Sequence, residues 1–150
     1  MKIENSPSWI EIEFICYAED DIIRSSNLFE EKNCVKIDFN FNVADVGWGF
    51  VWDEYFTTAD IYALSNGFQK VLSNTLVDFS YSGNYPYESL TPNPFYTFFI
   101  KRRNDNVEFK LKIHDRLEDY ISVTQVMSVS CFEKIADEFL EAAKKFPIKR

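Results

Sequence analysis

The sequence predicts an α+β fold, a mainly antiparallel sheet of about six or seven strands with two amphipathic helices packed on it. Two-residue alternation of apolar and polar side chains fills most of the chain. Two stretches switch to three- and four-residue spacing, one mid-chain and one at the end, and each has a hydroxyl residue near its start that suits a helix cap. At 150 residues the chain is the size of one ordinary domain, 1–150.

The first strand is "SWIEIEFICYA", where Ile10, Ile12, Phe14 and Cys16 alternate with Glu11 and Glu13. After the turn-prone "EDDIIRSSN", the segment "CVKIDFNFNV" sets Val35, Ile37, Phe39, Phe41 and Val43 against Lys36, Asp38, Asn40 and Asn42. In "VGWGFVW" the rings Trp48, Phe50 and Trp52 share a face opposite Gly47, Gly49 and Val51, and this strand is expected to end near Asp53. A helix follows, with Ile61, Leu64, Phe68, Val71 and Leu72 on one side. Thr57 suits its N-cap, Asp60 the third position that answers the cap, and Phe56 with Ile61 a hydrophobic staple. Gly67 costs about 1 kcal/mol relative to Ala inside a helix, so a close neighbour is expected there.

"TLVDFSYS" reads as the next strand and "GNYPYESLTPNP" as a loop. "FYTFFIKRR", "VEFKLKIHD" and "YISVTQVMSVS" are three further strands, the first two joined through "NDN". The closing helix, "SCFEKIADEFLEAAKKFP", has an apolar stripe through Phe132, Ile135, Ala136, Phe139, Leu140 and Ala143. Ser130 and Glu133 have the spacing of a capping box, Lys144 and Lys145 suit its negative end, and Pro147 stops it. The two halves thus share a plan of strands followed by a capped helix, a weak internal duplication.

Most chemistry is excluded by what is missing. The only histidine, His114, falls on the polar face of its strand with Lys110 and Lys112, and Cys16, Cys34 and Cys131 are widely spaced, so no metal-ligand pattern exists. No serine sits in a G-x-S-x-G setting, and "GWGFVW" lacks the third glycine of a dinucleotide loop. The acid pairs Asp53 with Glu54, Glu19 with Asp20 and Asp21, and Glu118 with Asp119 read as solvated turn acids. No catalysis and no cofactor are expected. The cysteines suit buried free thiols in a reducing cytosol, and no apolar run approaches the ~20 residues of a membrane span.

The net charge is -8, and its placement is uneven. Residues 1–60 hold 13 Asp and Glu against 4 Lys and Arg, or -9, and residues 61–150 hold 11 against 12, or +1. Such a field repels nucleic acid and speeds encounter with a basic partner. The later "KRR", continued by Lys110, Lys112 and Arg116, reads as a basic sheet edge that discourages aggregation.

The order of strands, the helix opening "TTADIYAL", the further strands and the final "SCFEKIADEFL" helix ending in "KKFP" resemble the WapI-like immunity proteins of bacterial polymorphic toxin systems, from about Trp9 to Phe146. That resemblance implies a non-enzymatic cytoplasmic inhibitor that binds one toxin domain and blocks its active site or substrate path. Charge and aromatic exposure place the expected partner surface at Glu19, Asp20, Asp21, Glu30, Glu31, Asp53 and Glu54, with Tyr55 as an aromatic anchor facing a basic, nuclease-type toxin. The alternative is a small-molecule binder whose cavity is lined by Trp48, Trp52, Tyr85 and Tyr87.

Overall fold

The computed structural model describes residues 2–5, 8–17, 33–43, 47–83, 96–114 and 120–148; of these, the side chains of residues 2–5, 8, 10, 39, 41, 43, 47–55, 120 and 121 are outside the description. The described elements run β1 (Lys2–Asn5), β2 (Ser8–Tyr17), β3 (Cys34–Val43), β4 (Gly47–Thr57), α1 (Thr58–Leu72), β5 (Asp78–Gly83), β6 (Tyr96–Arg103), β7 (Asn106–His114), β8 (Tyr120–Ser128) and α2 (Val129–Lys145). The α+β class, the antiparallel pairing and both helices are as the periodicity predicts.

The strands form two sheets where one of about six or seven strands was expected. β1-β2-β3-β4 and β5-β6-β7-β8 are separate four-stranded antiparallel meanders, each followed by a helix. Alternation marks a strand but not its partner, and α1 carries the chain away from β4 before β5 begins. The duplicated plan of the sequence is thus visible as two meander-and-helix halves.

Both helices grow straight out of a strand, through a cap residue with extended backbone: Thr57 (φ -74, ψ 154) and Ser128 (φ -66, ψ 155). At the first, the Thr57 hydroxyl accepts from the Asp60 amide at 3.0 Å, and Asp60 Oδ2 accepts from the Thr57 amide at 2.8 Å, a complete capping box. Phe56 and Ile61, the two staple positions, are both fully buried. Replacing Thr57 by Ala is expected to cost about 1 kcal/mol in urea denaturation; an unchanged midpoint would show that the box adds nothing to stability.

The second cap corrects the sequence reading. Ser128, and not Ser130, is the N-cap of α2, its hydroxyl accepting from the Cys131 amide at 3.3 Å, and Ser130 turns its hydroxyl to Ser128 at 3.0 Å. Glu133 therefore lies too deep in the helix to answer a cap. Cys131, in the first turn, is exposed; Cys16 is half-buried and only Cys34 is buried, against the expectation of three buried thiols.

The core is one cluster drawn from both sheets and both helices, from Ile12, Val35, Ile37 and Phe56 to Phe98, Phe109, Phe132 and Phe139. α1 packs on α2 and on β5 and β6, while α2 packs on β7 and β8. Phe68 is the hub, its ring within 5.0 to 6.3 Å of Phe79, Phe98, Phe109, Phe132 and Phe139. The close neighbour expected at Gly67 is the ring of Phe79: an added Cβ would stand 2.1 Å from Phe79 Cζ. Among the described residues, no helix is long and apolar enough to cross a membrane.

Candidate functional site

Of the expected partner surface, Glu19, Asp20, Asp21, Glu30 and Glu31 lie outside the described residues. Asp53, Glu54 and Tyr55 are in β4, a correction to the strand end expected near Asp53. β4 continues to Thr57 because its register with β3 holds, Glu54 opposite Ile37, Tyr55 opposite Lys36 and Thr57 opposite Cys34. Between Val51 and Glu54 the register shifts, so Trp52 and Asp53 face the single residue Asp38. Strand acids are fixed along a sheet, where turn acids would stand free of it. Of the alternative ring-lined cavity, Tyr85 and Tyr87 lie outside the described residues, as do the side chains of Trp48 and Trp52.

The packing of β2 on α2 creates an acidic groove. β2 alternates as predicted up to Phe14, with Ile12 fully buried and Glu13 exposed. A register shift between Phe14 and Tyr17 then breaks the alternation. Tyr17 lies edge-on to Phe146 at 5.3 Å and its hydroxyl donates to the Pro147 carbonyl at 2.6 Å, while Phe14 lies edge-on to Phe139 at 5.3 Å. These contacts hold the strand along the last turns of the helix.

The groove between them has a volume of about 680 Å³, with Glu11 and Glu13 on the strand side, Asp137, Glu138 and Glu141 on the helix side, and Ile12, Phe14, Ala142 and Phe146 as its apolar lining. Among the described lining residues the one cation is Lys145, whose Nζ sits 4.9 Å from the centre of the Phe146 ring. Glu141 bonds Lys144 at 2.6 Å, an exposed pair that is worth little in water. Among the described residues, no three acids, histidines or cysteines are placed to hold a metal ion. The apolar lining is already covered: Ile12, Ala142 and Phe146 are buried, and Tyr17 and Lys145 lie on the Phe146 ring. Each wall is visible in the sequence as the polar side of an amphipathic element, but their meeting depends on tertiary packing.

The outer face of the second sheet is mixed in charge, with Phe99 and Val126 exposed among its polar residues. "KRR" divides by alternation: Lys101 pairs with Asp78 at 3.7 Å and Arg103 with Glu108 at 3.1 Å, both exposed, whereas Arg102 turns inward and donates to the Val71 and Leu72 carbonyls at the end of α1. The basic edge expected from the sequence is not an edge: β6 and β7, which carry it, are the inner strands of β5-β6-β7-β8, Arg102 is lost to a helix cap, and Arg116 lies outside the described residues. His114 keeps its place on the polar face; desolvation, then the neighbouring Lys112, lowers its pKa below the usual 6.5.

Asp60 has a second task beside the cap, accepting a hydrogen bond from the Tyr81 hydroxyl. Burial first, then that bond and the carboxylate charge, raise the Tyr81 pKa, and burial and Asp60 raise that of Tyr96. Both phenols lie above the ordinary 10.0 when folded, so the stability they contribute is complete below about pH 10 and is lost as pH rises towards the folded values. The chain is expected to unfold in alkali with two of its eight tyrosines un-ionised until the transition, read by absorbance at 295 nm against fluorescence. Replacing Tyr81 by Phe should flatten that pH dependence; tyrosinate appearing in full before unfolding would contradict it.

Comparison with known proteins gives one family. The model described as "Immunity protein WapI-like family" matches residues 2–147. No curated protein matches the chain. Among solved structures, WHY1 from Arabidopsis thaliana is similar at 10% identity and TM-score 0.49, over 97% of this chain and 88% of that one. WHY3 from the same plant is similar at 12% identity and TM-score 0.47, over 97% and 86%.

Proposed function

Because the chain belongs to the immunity protein WapI-like family, we propose that it neutralises a cognate toxin by binding it, without catalysis, through an acidic and aromatic surface. The match over residues 2–147, nearly the whole chain, carries this reading, and membership implies a toxin as the partner. The charge supports the mode of action: -8 overall, concentrated in the first 60 residues, favours fast encounter with a basic protein and disfavours nucleic acid. A nuclease-type domain, whose substrate site must be basic to hold a polyanion, is the toxin class that fits best. The inhibitor then competes for that site with carboxylates, in a cytosolic complex. Glu19, Asp20, Asp21, Glu30, Glu31, Asp53, Glu54 and Tyr55 remain the proposed contact residues from the acidic half.

Coexpression with the product of the adjacent upstream gene tests the reading. Growth arrest by that product, relieved by this protein in a salt-sensitive complex, is the expected result. Charge reversal at Asp20, Asp53 and Glu54 should weaken that complex. Failure to form a complex and to relieve arrest would overturn the proposal.

A further inference from the structure

A strand at the border of a sheet has one row of amides and carbonyls without a ladder partner, and soluble proteins guard such borders with charge, proline, a bulge or brevity. Three of the four border strands here are guarded. β1 is four residues long with Lys2 and Glu4, β4 has the register shift opposite Asp38, and β5 is six residues long and opens with Asp78. β8 has none of these devices. It runs nine residues, "YISVTQVMS", in unbroken register with β7 from Ser128 opposite Asn106 to Tyr120 opposite His114. It is the only described strand without a charged residue. The cations that would guard it, Lys101, Lys110 and Lys112, sit on the inner strands β6 and β7. β1 of the other sheet comes near β8 without pairing with it, and on the outer side Val126 is 66% exposed.

Gln125 gives the strand a second mark. It lies on the inner side between the buried Val123 and Met127, and its carbonyl oxygen Oε1 is buried with no hydrogen-bond partner among the described residues. A buried amide carbonyl without a donor is costly, and native proteins rarely leave one so.

We infer that β8 pairs antiparallel with β8 of a second copy about a two-fold axis at Gln125, joining two four-stranded sheets into one of eight strands. In that register Gln125 stands opposite the partner's Gln125, and the two side-chain amides donate to each other's Oε1. Val123 meets the partner's Met127 on the inner side and Thr124 meets the partner's Val126 on the outer side, so no like charges face each other. The contact is isologous, and the borders of the joined sheet are two guarded β5 strands, so assembly stops at two. A foreign strand would use the same ladder, but a second copy supplies the Gln125 match by symmetry. This inference goes beyond the toxin reading and does not depend on it.

The test is the mass of the full chain by sedimentation equilibrium over a wide concentration range. The forms are the natural protein, Thr124→Lys with Val126→Lys, and Ser80→Lys on the opposite border of the sheet. The lysine pair sets lysine against lysine twice across the axis, and thermal melts check that each form is folded. The natural protein and the Ser80 form are expected to dimerise reversibly within about 3-fold of each other, and the lysine pair to raise the dissociation constant at least about 100-fold. If the lysine pair does not fold, cross-linking decides. In a Cys131→Ser background, oxidation should link Gln125→Cys into dimers at least about 10-fold faster than Ser80→Cys, since residues facing across the axis are within disulfide reach. A natural protein that is monomeric at every concentration would overturn the inference. So would a dimer that the lysine pair leaves intact, a Gln125→Cys form linked no faster than Ser80→Cys, or open-ended aggregation in place of a dimer.

Discussion

Phe68→Ala is expected to lower the free energy of unfolding by about 3–5 kcal/mol, the range for emptying a large aromatic site in a core. Five rings lose a partner at once, at centroid distances of 5.0 to 6.3 Å, and they come from β5, β6, β7 and α2. Two of them, Phe98 and Phe139, also touch each other at 5.9 Å, so the cavity cannot close without disturbing contacts that remain. Against the 5–15 kcal/mol typical of such proteins, the loss is a large part of the whole. Urea denaturation with an unchanged m-value is the measurement, and a loss below about 1.5 kcal/mol would remove Phe68 from the centre of the core.

Gly67→Ala is expected to destabilise the protein by about 1–2 kcal/mol, although alanine is favoured over glycine in a helix by about 1 kcal/mol. The new methyl would meet Phe79 Cζ at 2.1 Å, Cε2 at 2.2 Å and Cε1 at 2.5 Å, and the ring must swing off Phe68 to make room. The sign of the effect therefore belongs to Phe79. In a Phe79→Ala background the collision is gone, and Gly67→Ala should become stabilising by up to about 1 kcal/mol, the intrinsic helix preference. Equal effects in both backgrounds would show that the close approach is not what selects glycine at this position.

Gly67 also shows how far the sequence could be read. A glycine inside a good helix announces a close neighbour but not which one, because that neighbour, Phe79, comes from the strand after the helix. Thr57 and Asp60 were legible in full, since a capping box lies within four residues and depends on nothing distant. Ser128 was missed because Ser130 with Glu133 offers the same local pattern two residues on, and the choice falls to the end of β8, which runs to Ser128. The division into two sheets and the bulges near Tyr17 and Asp53 depend on strand partners, which alternation does not encode. The acidic groove was invisible for the same reason: Glu11 and Glu13 read as the wet side of a strand and Asp137, Glu138 and Glu141 as the wet side of a helix.

α1 belongs to the first half of the chain but packs against β5 and β6 of the second, and α2 reaches back to Phe14 and Tyr17 of the first. A nascent chain that has delivered α1 thus carries an uncovered greasy helix until β6 clears the ribosome, a delay of a few seconds at ordinary elongation rates. Under the proposed toxin-binding function, protection then waits for α2, and a chain stalled before it would be sticky without being protective.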